Sequence, residues 1–374
     1  MNRTTFKHRF IFDGLCLLVF LAGVIFANVP ADAASIQLPA TGQTKCYDTF
    51  GSEIACAGTG QDGDLQAGVI WPEPRFVSNA KGTVSDLLTG LVWLRSITTP
   101  AVGECPRGRK LWKDTFSYVE CLNSMGFGGR NDWRVPNINE MRSLIRQIPQ
   151  DNVFIASRAL NIFWTSTTNE QHPAYAAVPK GDELPKDYHL YVLPVSGGSG
   201  GLISLPRTNQ TKSYIARDDG DLRMGVEWPS PRFAGNGDGT VTDRLTGLIW
   251  TKNAASPRPI ACGRGLTKTW QGALDMVKCL NGNNYLGRNT WRLPNINELA
   301  SLLDFSQFRP CLSADHPFIE VLHQQYWSSS NYVSLDSEAD TPAKHYALSV
   351  NMMTCGVHDT DKDNEFAVWP VSSP

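Results

Sequence analysis

Apolar residues in this chain fall into short runs with two different periods, and the whole arrangement occurs twice. Trp112, Phe116, Val119 and Leu122 stand at helical spacing and predict an amphipathic helix; Trp270, Leu274, Val277 and Leu280 repeat the stripe, with Asn281-Gly282 as its end. A second helix start follows each stripe, in GRNDWRVPNINEM (Gly129 to Met141) and GRNTWRLPNINEL (Gly287 to Leu299). Pro136 and Pro294 disfavour helix at the residue before them. Asn137 and Asn295 are the predicted N-caps, and Glu140 and Glu298 complete a capping box three residues later. The predicted buried faces are Met141, Leu144, Ile145 and Ile148 in the first copy, and Leu299, Leu302 and Leu303 in the second.

Strand-like alternation surrounds these helices. Thr83 to Trp93 and Thr240 to Trp250 read as hairpins turning at Leu88-Thr89-Gly90 and Leu245-Thr246-Gly247. Further strands are predicted at Phe163 to Asn169, Tyr175 to Val178, Leu190 to Val195, Tyr326 to Tyr332, Tyr346 to Val350 and Phe366 to Val371. A strand pair, two helices and then more strands argue for an α+β fold with a mainly antiparallel twisted sheet in each copy.

The duplication extends almost end to end. DGDLQAGVIWPEPRF (Asp62 to Phe76) returns as DGDLRMGVEWPSPRF (Asp219 to Phe233), and LPATGQTKCY (Leu38 to Tyr47) as LPRTNQTKSY (Leu205 to Tyr214). The expected organisation is a signal segment at 1–33, a first domain at 34–197, a flexible Gly/Ser linker at 198–203 and a second domain at 204–374. Each half is expected to fold alone.

Arg3, Lys7 and Arg9 precede an apolar run from Ile11 to Val29, and Ala31-Asp32-Ala33 has the pattern of a cleavage site. The chain reads as exported, to the periplasm, the cell surface or the medium. An uncleaved anchor is the other reading, although Asp13 interrupts the run and leaves a short apolar core for a stable membrane span. Removing the charged residues of that segment leaves 34 − 3 = 31 basic against 36 − 2 = 34 acidic residues, a balance without a global field for nucleic acid. Eight of the nine cysteines follow it, and an even count in an exported chain reads as disulfides. Cys105 and Cys121 recur as Cys262 and Cys279, so each pair is expected to close within its own repeat, with Cys46 joined to Cys56 and Cys311 to Cys355. Zinc binding and thiol catalysis are the alternatives; no CxxC occurs.

The run GTVTDRLTGLIW, the cysteine-bearing helix, WRLPNINEL, YWSSS and the closing apolar strand resemble the family of the C-terminal domain of the collagen-like bacterial adhesin Lcl, grouped with C-type-lectin-like folds. The resemblance implies two tandem lectin-like domains, disulfide-stapled and used in surface or secreted proteins. It implies binding or adhesion to a glycan, a matrix polymer or an extracellular protein, with no agreed catalytic site. The WRLPN turn is also similar to a turn of the formylglycine-generating enzymes, and a related exported oxidoreductase is the alternative. That chemistry needs a cysteine pair near the closing strand, where Cys355 stands alone.

Candidate chemistry is sparse. Asp359, Asp361, Asp363 and Glu365 alternate in HDTDKDNE and offer oxygen ligands to Ca²⁺, or else form a solvated acidic turn; the spacing is not that of an EF-hand. Asp238 in NGDGT is a weaker cation candidate, because Lys81 replaces it in the first copy. Trp133-Arg134 and Trp291-Arg292 read as structural residues beside the helix start, or as sugar-stacking platforms. No other cofactor is expected. The divergent loops Asn169 to Asp187, Asn331 to Lys344 and Asn351 to Asn364 are where a ligand surface is expected.

Overall fold

The described chain opens on a hairpin, β1 (Cys46–Tyr47) and β2 (Glu53–Ile54), closed by the Cys46–Cys56 disulfide and followed by a single helical turn, α1 (Asp62–Leu65). The computed structural model describes Met1 and residues 36–373 apart from 146–152, 156–162, 199, 256–259, 264 and 333–344. The expected signal segment, Ile148 and most of the Asn331 to Lys344 loop lie outside the described residues.

In the first repeat β3 (Phe76–Asn79), β4 (Thr83–Asp86) and β5 (Leu91–Leu94) precede the helices α2 (Trp112–Ser124) and α3 (Ile138–Ile145). A small hairpin, β6 (Tyr175–Ala177) with β7 (Glu183–Pro185), and the closing strand β8 (Val195–Gly197) complete it. The second repeat follows the same order: α4 (Asp219–Leu222), β9 (Phe233–Gly235), β10 (Thr240–Asp243), β11 (Ile249–Thr251), α5 (Trp270–Gly282), α6 (Ile296–Ala300), β12 (Gln325–Asn331), β13 (Tyr346–Asn351), β14 (Gly356–Asp361) and β15 (Val371–Ser372). Each repeat has a four-stranded antiparallel sheet, ordered β3-β4-β5-β8 and β15-β11-β10-β9. The fold is α+β.

Local sequence explains the hairpins. The Asp86 carboxylate accepts from the Leu88 N–H and the Thr89 hydroxyl, which turns the chain between β4 and β5. It also receives the Arg75 guanidinium at 3.0 and 2.8 Å, and the same guanidinium donates to the Ser143 carbonyl in α3. Sheet and helix are thereby joined. Arg232, Asp243 and the Ser301 carbonyl repeat the arrangement in the second copy.

The helices bury the expected stripes. Trp112, Phe116, Val119 and Leu122 are inside, as are Trp270, Leu274, Val277 and Leu280, and the disulfides Cys105–Cys121 and Cys262–Cys279 tie each preceding loop to its helix. Met141, Leu144, Leu299, Leu302 and Leu303 are also buried. α6 nevertheless ends at Ala300, because Leu302 and Leu303 donate to carbonyls three residues back and tighten the chain out of the α-helix. Phe163 to Asn169 departs from expectation more clearly. It forms isolated bridges, Phe163 to Tyr191 and Thr168 to Ala176, rather than a strand, although its bonds from Ser166 N–H to Pro136, Thr165 Oγ1 to Ala177 and Thr168 N–H to the Gln210 side chain have counterparts in β12.

Residues Ala33–Pro374 form one compact unit, and the reason lies in the segments that precede each repeat. Residues 36–67 pack on the second repeat. Ile36 donates to the Leu245 carbonyl at 2.7 Å, Gln43 exchanges two hydrogen bonds with the Asn331 backbone, and Asn295 and Asn297 donate to the Ala67 and Pro39 carbonyls. Residues 203–226 pack on the first repeat in the mirrored way, through Ile203 to Leu88, Gln210 to Thr168, Asn137 to Met224 and Asn139 to Pro206. Ile36 and Leu38 join the apolar core of the second repeat, which also takes in Ile138 and Ala177 of the first. Two halves cut after Gly197 therefore each carry an arm that packs on the other half, against the expectation that each folds alone.

Candidate functional site

The repeated WRxPNxNE turn is the geometric centre of each copy. The Arg134 guanidinium makes a fork with both Glu140 oxygens at 2.6 and 2.7 Å, Glu140 Oε2 accepts from the Asn137 N–H, and Asn137 Oδ1 accepts from the Glu140 N–H. Arg292, Asn295 and Glu298 repeat it at matching distances. Both glutamates are thus occupied by a cap and an arginine. Trp133 and Trp291 are buried, with their indole N–H groups on the Phe127 and Tyr285 carbonyls, so neither presents a ring face to a sugar.

Two carboxylates that the sequence did not single out stand beside these turns. Asp62 accepts from the Thr41 hydroxyl at 2.7 Å and from the Ser330 hydroxyl, while Asp219 accepts from Thr208 and Thr167 at 2.7 and 2.6 Å. Burial pushes the Asp62 carboxyl up to about 6 and that of Asp219 up to about 7 against those hydrogen bonds. The intervening Gly63 and Gly220 are required by close packing, since a Cβ there would meet the Lys45 and Lys212 carbonyl oxygens at 2.4 and 2.1 Å. A recurring DGD in two long repeats was the available signal.

A recurring lysine was missed as well. Lys186 and Lys362 lie over the rings of Trp112 and Trp270 at 3.6 and 4.3 Å, and burial lowers both ammonium groups to about 8. Lys362 is fully enclosed and donates to the Asp48 carbonyl at 3.0 Å, which closes it to an external substrate.

Among the described residues, two of the divergent loops meet between the repeats. Gly181 and Val357 exchange backbone hydrogen bonds, and Asp182 accepts from His358 at 2.8 Å and from Thr354. Burial raises the Asp182 carboxyl, but those two partners outweigh it and hold the group below the usual range. A narrow cleft lined by Asn169, Asp182, Glu183, Phe305 and Thr354 marks the seam.

The alternating acidic run does not converge as a group. Asp359 reaches Lys180 of the first repeat at 3.3 Å, and Glu365 accepts from the Thr267 hydroxyl. Asp361 and Asp363 alone share a neighbour, His345. Asp238 is occupied by the N–H and hydroxyl of Thr240 in the β9–β10 turn. Cys355 is bonded to Cys311, and all eight cysteines from Cys46 onward are paired.

Four disulfides fit an extracellular or periplasmic setting, and among the described residues no helix is long and apolar enough to cross a membrane. No curated protein and no solved structure matches the chain. The profile of the Lcl C-terminal domain matches it twice, at residues 82–198 and 239–372, each match beginning after the first strand of the four-stranded sheet and covering the other three with the helices between them. With more than half of its residues so matched, the chain belongs to the Lcl C-terminal domain family, in tandem.

Proposed function

We propose that this protein is an exported, non-catalytic binding module of the adhesion type, engaging a surface glycan, a matrix polymer or an extracellular protein. The observation that carries the reading is the fate of the ionisable groups common to both repeats. Arg134 with Glu140, Glu298, and the carboxylates of Asp62 and Asp219 are buried, Arg292 is half-buried against Glu298, and all are held by internal partners. Their work is structural. Two copies of one fold presented together from a single chain suit a repeating ligand, because a second contact then forms at high effective concentration.

For an anionic polymer a surface among the described residues is the loop after Cys105 with the start of α2, where Arg107, Arg109 and Lys113 are exposed. The near-neutral chain makes such binding a local effect that weakens steeply with salt. The test is a glycan-array and matrix-protein screen on the whole disulfide-bonded chain, with Arg107→Glu/Arg109→Glu beside it. Retention of one polymer or protein class is expected. Turnover of a thiol or peptide substrate with no retention on any surface overturns the proposal.

A further inference from the structure

We propose that His345, Asp361 and Asp363 form a site for a divalent first-row transition-metal ion, carried by the second repeat alone. His345 Nε2 lies 3.0 Å from Asp361 Oδ1 and 3.7 Å from Asp363 Oδ2, and one donor atom from each residue falls within a span of 4.8 Å. Bonds of about 2.0–2.2 Å from one ion to nitrogen and oxygen would leave neighbouring donors about 3.0–3.5 Å apart. The three atoms are therefore close to ligand spacing.

The other face of the imidazole supplies an independent observation. His345 Nδ1 meets the Thr49 carbonyl, an acceptor only, so Nδ1 carries a proton and Nε2, beside the two carboxylates, is the nitrogen that would bind the ion. A ligating histidine is usually oriented in this way. The scaffold is firm on each side. β13 and β14 pair Tyr346 with Asp361, the Lys362 N–H returns to the His345 carbonyl, and Thr49 belongs to the loop closed by Cys46–Cys56. Lys362, between the two aspartates in sequence, directs its ammonium to the Asp48 carbonyl and the Trp270 ring.

Chemistry and duplication narrow the ion. One imidazole and two carboxylates suit zinc, cobalt or manganese, whereas Ca²⁺ takes six to eight oxygen ligands. The equivalent positions in the first repeat are Ala174, Pro185 and Asp187, which cannot form the set. Bound metal would fasten the N-terminal arm to the second repeat through Thr49, in a place where the other arm has no such fastening.

The experiment uses the full disulfide-bonded protein, stripped with chelator and titrated with Zn²⁺, Co²⁺ and Ca²⁺ by calorimetry, with Co²⁺ visible absorption as a second readout. One equivalent of Zn²⁺ or Co²⁺ per chain is expected, displaced by neither Ca²⁺ nor salt, together with slower amide exchange over residues 46–56. His345→Ala should abolish it, and Asp363→Asn, at an exposed position that spares folding, should weaken it about tenfold or more. Absence of stoichiometric binding overturns the proposal, as does binding unchanged in folded Asp363→Asn and His345→Ala.

Discussion

The Asp62 carboxylate accepts a hydrogen bond from the Ser330 hydroxyl across 268 positions of sequence, and Asp219 accepts from Thr167 at 2.6 Å in the mirrored place. Each repeat is completed by a carboxylate from the arm that precedes the other repeat. The second arm follows the first repeat directly in the chain, so residues 74–228 hold one core with its arm. The second core, in contrast, needs a segment from the far N-terminus. Four consequences can be measured.

The first concerns folding units. Residues 74–228, expressed in an oxidising compartment, should give a cooperative monomer by circular dichroism and size exclusion. Residues 231–374 should do so only when residues 36–71 are co-expressed. A stable monomer of 231–374 without that arm would show the arm to be dispensable.

The second concerns pH. Both buried carboxyls stand above the usual aspartate value of about 4, so the stability they contribute is full below that value and is lost as pH rises through about 6 for Asp62 and about 7 for Asp219. Glu298 adds to the rise at Asp62 and Arg292 opposes it; Glu140 and Asp218 add to it at Asp219. Amide exchange in the two arms should therefore quicken between about pH 4 and about pH 7, more than in α2 and α5. Asp62→Asn should flatten the response of the first arm only, and an undiminished response in that variant would assign the effect elsewhere.

The third concerns the caps. Asn295 accepts from the Glu298 N–H with one side-chain atom and donates to the Ala67 carbonyl with another, so Asn295→Ala loses both a helix cap and an arm contact. Chemical denaturation should show a cost of about 2 kcal/mol, roughly half from each. Asn295→Asp keeps the cap acceptor and should recover about half. Equal losses in the two variants would mean that the arm contact carries the whole effect.

The fourth concerns the buried ion pair. Arg232 and Asp243 are enclosed, and Arg232 also holds the Ser301 carbonyl and covers Trp228 at 4.1 Å. Arg232→Ala strands the carboxylate and should cost about 3–5 kcal/mol. An apolar pair at both positions should cost less than Arg232→Ala, and a loss below about 1 kcal/mol would place Arg232 among solvent-screened pairs.

Much of the local structure was legible because its causes are local. Pro136 and Pro294 end extended chain, Asn137 and Asn295 cap, and the spacing of Trp112 to Leu122 marks a buried face. The pairing of Cys105 with Cys121 followed from its recurrence as Cys262 with Cys279. Phe163 to Asn169 misled, since its apolar and β-branched residues suit a strand but its bridges join Phe163 to Tyr191 and Thr168 to Ala176, whereas Gln325, Tyr326, Trp327 and Asn331 of the matching β12 pair with β13. Two of the divergent loops also meet each other, at Gly181 with Val357, a contact that difference between copies does not reveal.

The sequence alone determined the duplication, the capped helices, the hairpin turns at Leu88-Thr89-Gly90 and Leu245-Thr246-Gly247, and the family, because each depends on neighbours within a turn or two or on a pattern written twice. Only the tertiary structure decided which core each arm completes. Both repeats offer nearly the same recipient surface, Asn137 with Thr167 or Asn295 with Ser330, and both arms carry the same DGDL, so local energies scarcely distinguish one pairing from the other. Chain connectivity and the contact of one repeat with the other break that tie, and the same assembly brings Thr49 to His345 across 296 residues.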